Sequence, residues 1–322
     1  MKIFKVFLIS FGLLIISCDK KSKVENAIEE IKVEMKVNRF DQAFFGANKE
    51  TLQNVRAQYP FFFPANMTDA VCLSKINNPD WKGLFAETQL KYKNFEPQKD
   101  EIIELFKHIK YYFPTVVTPK IYTVIGEMDY TTKAIYANDK LIIALELYLG
   151  KDHKYYAEFP KYMKQNFEPK QILPDVVTSF AEGVVAQPQS TFITKMVYFG
   201  KQLYLKDLLL NDYSDADKIG FTNEQILWSQ DNEMYIWQKL VNDNLIFSAD
   251  SKLSGRFLEM APFSKFYLEI DNESPGRIGH WIGWQIVRSY MENYPETKIQ
   301  DLIKMDGKTL FESSKYKPKK NE

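Results

Sequence analysis

The side chains able to do catalytic or metal chemistry are few and widely spaced. His108, His153 and His280 lie far apart, and no His-Glu-x-x-His pair exists to present zinc ligands from one helix face. Gly307-Lys308-Thr309 ends like a phosphate-binding loop, but Leu302 stands where its first glycine belongs. Asp215, Asp217 and Gly220 open like a calcium loop, yet Ile219 and Ile226 fill ligand positions and offer no side-chain oxygen. No Gly-x-Ser-x-Gly elbow occurs. What remains is a set of polar side chains in apolar surroundings. Lys201 shares a helical stripe with Val197, Tyr204 and Leu208, where a lysine either snorkels outward or pairs with a buried carboxylate. His280 falls beside a row of glycines, with a hydrogen-bonded core histidine as its default role. Glu146 interrupts the apolar run Leu141–Leu149 and must be paired or exposed at an edge.

The element that must position His280 spans Ser274–Tyr294. Ser274 is the expected N-cap, with Pro275 at the first helical position and Pro295 as terminator. At 100° per residue, Gly276, Gly279 and Gly283 fall in line with Ile286, Val287, Tyr290 and Tyr294. The first half has almost no polar face, so this helix runs into the domain centre. A mid-helix glycine costs roughly 1 kcal/mol relative to alanine, so three on one side imply close approach of another backbone or a ligand.

Around this helix the pattern is strands early and helices late, an α+β fold that is predominantly helical. Ile31, Val33, Met35 and Val37 alternate with charged residues in the period of a half-buried strand. Lys120–Ile125, Ala134–Ala137 and Leu141–Leu147, separated by polar turns, predict an antiparallel β-meander. Gln98–Phe113 is an amphipathic helix, and Tyr59–Pro64 packs aromatics between two prolines as a core plug. Further helices are expected over Asn48–Gln58, Tyr155–Asn166, Leu173–Ala186, Thr191–Leu210, Thr222–Asn242, Thr297–Lys304 and Lys308–Ser314.

The N-terminus carries the most specific signal. Lys2 and Lys5 precede an eleven-residue apolar run, Val6–Ile16, which is too short for a permanent membrane span but suits a secretory signal peptide. Ile15-Ile16-Ser17-Cys18 resembles a bacterial lipobox, which implies cleavage after Ser17 and attachment of acyl chains, palmitate among them, at Cys18. Residues 1–17 are then a lipoprotein signal peptide, 18–30 a lipidated N-terminus and tether, 31–316 a single globular domain and 317–322 a polar tail. Without the signal the chain has 40 basic and 42 acidic residues, formally −2, with no basic excess for nucleic acid. Cys72, in Ala70-Val71-Cys72-Leu73, has no disulfide partner once Cys18 is acylated and reads as a small buried hydrophobe.

Gly150-Lys151-Asp152-His153, Leu173-Pro174-Asp175, Tyr198-Phe199-Gly200-Lys201, Ala261-Pro262-Phe263-Ser264-Lys265 and Asp271–Arg277, together with the lipobox, resemble the gliding-motility lipoprotein GldB family of the Bacteroidetes. The resemblance covers nearly the whole chain and implies a lipoprotein of gliding motility and its associated secretion machinery. The layout also resembles a predicted family of His-Glu-x-x-His zinc peptidases. In that comparison Pro174–Ala186 is the counterpart of the metal helix, but it has Glu182 and no histidine. The resemblance therefore implies a degenerate, zincin-like scaffold, a pseudopeptidase without cofactor or metal.

The expected function is a non-enzymatic binding or scaffold module of the cell envelope. It faces the periplasm, since Lys20, Lys21 and Lys23 follow Asp19 in place of the acidic run that resembles a surface-export signal in these bacteria. Its partners are the membrane, through acylated Cys18, and proteins of the motility apparatus. The expected surface is a groove between the meander edge and the glycine face, with Glu182, Lys201, Tyr204, Gly279, His280 and Gly283 as candidates. Two other functions stay open: a peptidase-like hydrolase using Glu182, Lys201 and His280, and a lipoprotein carrying a small molecule in an aromatic pocket.

Overall fold

A computed structural model describes residues 23–319. The expected signal peptide, Cys18 and the first part of the tether lie outside the described residues, as do residues 320–322. Within the expected tether, Lys23–Glu29 is a short helix that buries Ile28.

Four strands form the sheet: β1 (Val37–Arg39), β2 (Lys120–Val124), β3 (Ala134–Ala137) and β4 (Lys140–Ala144), in the order β1-β2-β4-β3. The meander expectation is corrected in its topology. β3 and β4 are the anticipated antiparallel hairpin, but β2 pairs β4 in parallel, Lys120 opposite Lys140, and β1 joins β2 in parallel. The connection from β2 to β3 is long enough to carry the chain past the slot that β4 then fills, whereas a meander requires short hairpin loops. Both faces are covered. Ile121, Leu141 and Ile143 enter the main core, while Tyr122 and Ile142 meet an aromatic cluster of Phe40, Phe44 and Tyr59. Phe62, from the Tyr59–Pro64 plug, stacks on Phe40 at 4.2 Å. Cys72 is buried in that cluster, as a small hydrophobe would be. The alternating stretch from Ile31 keeps its periodicity, with Val33 and Met35 buried between exposed charges, but only Val37–Arg39 pairs as a strand.

Five helices frame the rest: α1 (Glu96–Tyr112), α2 (Ile172–Val184), α3 (Phe192–Leu209), α4 (Ile278–Asn293) and α5 (Gly307–Ser314). The class is the expected one, α+β and mostly helical. Two anticipated helices are interrupted. Thr222–Asn242 breaks at Asn232 into Asn223–Asp231 and Glu233–Asn242. Tyr155–Asn166 shrinks to a turn and Lys161–Lys164, because Pro160 cannot continue a helix.

The central helix also begins later than its sequence suggests. Ser274 follows a short 3₁₀ turn, and its hydroxyl bonds Asp271 and Ser264 rather than a helix N–H. The cap arrives from upstream: Ser264 Oγ accepts from Ile278 N at 3.1 Å and donates to the Pro275 carbonyl at 2.7 Å. Arg277 turns the chain into α4 with φ of +61°. α4 then crosses α3 so closely that a Cβ on Gly200 would lie 2.1 Å from the Gly283 oxygen, and one on Gly283 would lie 1.8 Å from the Met196 oxygen. α5 packs beside both helices.

Glu146 is neither edge-exposed nor ion-paired. It is fully buried just after β4; Oε1 accepts from Gly126 N at 2.8 Å and Oε2 has no hydrogen-bond partner. Burial pushes its carboxyl up to about 7, against backbone donors that favour the anion. Because the folded-state value is the higher one, the native state holds a proton that the unfolded chain has released between about pH 4.5 and 7. Stability is therefore lost as pH rises through that window. Glu146→Gln should unfold like the parent near pH 4 and resist urea by on the order of 3 kcal/mol more at about pH 8. Equal stability of the two proteins at pH 8 would show that the carboxylate is better solvated than its burial implies.

Candidate functional site

The six groove candidates do not converge. Gly279 and Gly283 are buried on the closed side of α4, against Leu258 and Met196. Lys201 is almost wholly buried, and its ammonium neither snorkels nor meets a carboxylate. It donates to the Ile303 and Met305 carbonyls at the end of helix Ile299–Lys304, a lysine cap for orphan acceptors. Burial lowers it to about 8. Tyr204, one turn on, is half-buried, and its hydroxyl titrates above the usual range through burial. His280 stacks on Phe199 at 3.8 Å with its Nε2 unpartnered. Desolvation first, and the Arg277 charge second, hold it well below the ordinary histidine value, so it is a neutral, half-buried ring.

Glu182 alone opens onto a cleft, and there it meets residues of a different kind. α2 presents Asp175, Thr178, Ser179 and Glu182, spaced i, i+3, i+4, i+7, as one polar stripe along a cavity of about 330 Å³. The same helix buries Val176, Val177, Phe180 and Ala181 on its other side, against the core. Across the cleft stand Lys206 near the end of α3, Arg277 at the entry to α4, Lys218 in the last turn of helix Asp215–Ile219, and Gly220, which ends that helix. Lys133, just before β3, closes the near side.

The charges on these walls are unevenly satisfied. Lys133 is 2.6 Å from Asp175, which also accepts from Tyr148 Oη at 2.9 Å. Lys218 reaches Asp207 at 3.0 Å; Asp207 also takes the Arg288 fork and Trp284 Nε1, and the Arg288 guanidinium lies 3.7 Å from the Trp284 ring centre. Lys206 and Arg277 have no such partner: among the described residues, no carboxylate lies within ion-pair distance of either. Lys206 is buried and donates to the Lys218 carbonyl at 2.7 Å. Arg277 reaches the Ile219 carbonyl at 3.3 Å. Burial drives Lys206 down to about 7, helped by Arg277 and Lys133 and opposed by Asp175 and Glu182. Arg277 is likewise lowered by desolvation. Although Glu182 is exposed at the rim, partial desolvation of its carboxyl keeps it above the usual range, with Lys206 pulling it back.

Sequence reasoning missed Lys206. Its local signal is a single cation inside the run Leu203–Leu210, and nothing nearby in the sequence shows that it faces a cleft. A larger, more open groove of about 790 Å³ lies along α1, walled by carboxylates and His108. Its carboxylates Glu101, Glu104 and Asp212 are solvent-exposed, so it lacks the uncompensated buried charge that distinguishes the α2–α3 cleft. Among the described residues no group of three or more His, Cys, Asp or Glu side chains is placed to hold a metal ion, and no helix is long and apolar enough to cross a membrane.

Fold and site together define a predominantly helical α+β protein with a closed helix crossing at its centre and a partly buried, basic-walled cleft at its side. By sequence, residues 21–318 match the family described as gliding motility protein GldB, and the chain belongs to that family. Membership implies involvement in gliding motility, and the family's label points to lipoproteins of the cell envelope. Neither the curated proteins nor the solved structures include a match to this chain.

Proposed function

We propose that this protein is a non-enzymatic binding and scaffold module of the gliding-motility apparatus and its associated secretion machinery. Acylated Cys18 holds it on the membrane after loss of residues 1–17, and its body faces the periplasm. In this reading the scaffold is a degenerate peptidase-like one, with α2 in the place of a metal helix beside the edge strand β3. The working surface is the cleft along α2, not the glycine face of α4. The observation that carries this is the unpartnered pair Lys206 and Arg277 on the cleft wall. Lys206 is buried and Arg277 half-buried; desolvated cations without counter-charges reduce stability, and such groups cluster where a ligand completes them.

A photo-crosslinking residue at Glu182, on the cleft rim, should capture one envelope protein in intact cells. The same residue at Leu90, which is 82% exposed and does not line the cleft, should not. Identical adducts from both positions, or none from Glu182, would remove the cleft from the scaffold role. The opposite perturbation of Glu182 and Lys206 favours one competing reading, a hydrolase that uses them as acid and base. Peptide hydrolysis by the purified chain that Glu182→Gln abolishes would replace the binding reading with that one.

A further inference from the structure

The cleft has a size, a charge and a lining that together specify a ligand class. Its volume of about 330 Å³ is roughly ten times the share of one liquid water and sits at the small end of ligand pockets. The lining is polar, with Thr131, Thr178, Asn166 and Gln171 held in place by donating to Asp129 and to the Pro174, Gly220 and Asp217 carbonyls. Of the charged groups facing Lys206, Asp175 is engaged by Lys133, Lys218 by Asp207, and Glu182 stands at the rim. Two cations therefore remain to be neutralised, and they come from elements that the fold brings together independently. One is near the end of α3, the other at the left-handed residue that starts α4. An ammonium carries three donors and a guanidinium five, so one carbonyl acceptor apiece leaves most of both sets unused. A non-glycine residue held at positive φ persists only where the surroundings enforce it, and here the enforced residue is one of the two cations.

We infer that the cleft binds the oxyanion of a small polar acid, a carboxylate or a phosphate ester, between Lys206 and Arg277. This rests on the reading of the cleft as the working surface and adds what is bound there. The guanidinium grips two oxygens through its fork, while the ammonium acts as a point charge beneath them. The fixed polar lining bounds the rest of the molecule, with the threonine hydroxyl oxygens left as acceptors.

Calorimetric titration of the full chain in non-ionic detergent tests this, with citrate as the carboxylate probe and glucose 6-phosphate as the phosphate ester, at ionic strength matched with sodium chloride. One of the two should bind saturably at one site. Its affinity should fall by about tenfold or more between about pH 7 and pH 9, because an anion binds the protonated lysine and Lys206 loses its proton across that range. Lys206→Met should weaken binding by roughly tenfold or more and remove the pH dependence. Arg277→Gly, which also relieves the positive φ, should weaken binding to a similar extent. No saturable binding of either probe below about 10 mM overturns the inference, and so does binding by Lys206→Met that matches the parent. The result also separates the inference from the scaffold role. Citrate binding without a Glu182 adduct retains the anion site and removes the protein partner, and an adduct without anion affinity does the reverse.

Discussion

Replacing Gly283 by alanine should cost more than about 3 kcal/mol and leave little folded protein at physiological temperature. An added methyl group ordinarily meets side chains that can turn aside. Here it would lie 1.8 Å from the Met196 carbonyl oxygen and 2.4 Å from its carbon, both backbone atoms of α3. The helices would have to separate, and the gap would open beside Ile282, Ile286 and Val197, which are fully buried. Gly200→Ala should behave alike, since its methyl meets the Gly283 backbone from the opposite side. Gly183 in α2 is the matched control, because nothing lies within 4 Å of a Cβ placed there. Gly183→Ala, one residue from the end of α2, should leave stability unchanged or raise it by up to about 1 kcal/mol through helix propensity alone. Urea unfolding of the three variants checks this. A Gly283→Ala protein within about 1 kcal/mol of the parent would mean that the crossing is looser than its backbone contacts imply, and that the glycine face stays open to a partner.

The glycine face was legible because three glycines in register on an apolar helix have few physical explanations, and close backbone approach is one of them. What the sequence could not indicate was which backbone approaches, since Met196 and Gly200 lie some eighty residues upstream. The same limit explains the other departures. Ser274 has every local mark of a helix cap, yet Ser264 caps α4, and only the folded loop brings it there. The parallel pairing of Val37 with Ile121 leaves no local trace, so β-rich segments joined by polar turns read as a meander. Lys201 was recognised as a cation in an apolar stripe, but its acceptors are backbone carbonyls about a hundred residues away, which no side-chain pattern announces. Of the cleft, the sequence indicates only Glu182, because a cleft is made by elements meeting, and its two unpartnered cations come from α3 and from the turn that enters α4.

Lys206→Met should make the protein more stable, and the gain should depend on pH with a sign opposite to that of Glu146→Gln. In the folded chain the ammonium is pushed down to about 7 from 10.5, so between those values the unfolded chain holds a proton that the native state has lost. Stability then rises with pH across that window, and the penalty of burying the charge is fully present below about pH 7. Its ceiling is on the order of 4–5 kcal/mol. The bond to the Lys218 carbonyl, lost in the variant, offsets about 1–2 kcal/mol. A net gain on the order of 3 kcal/mol is expected near pH 6, shrinking to nothing or reversing near pH 10. Thermal or urea unfolding across that range measures it, and a Lys206→Met protein less stable than the parent at pH 6 would mean the lysine is a structural strut. The expected sign separates the two roles of a buried cation. Lys201 caps carbonyls that would otherwise be orphaned, whereas Lys206 weakens the chain that contains it. If the anion probe then stabilises the parent by mass action while leaving Lys206→Met unmoved, the stability lost to burying this lysine is recovered only when the cleft is occupied.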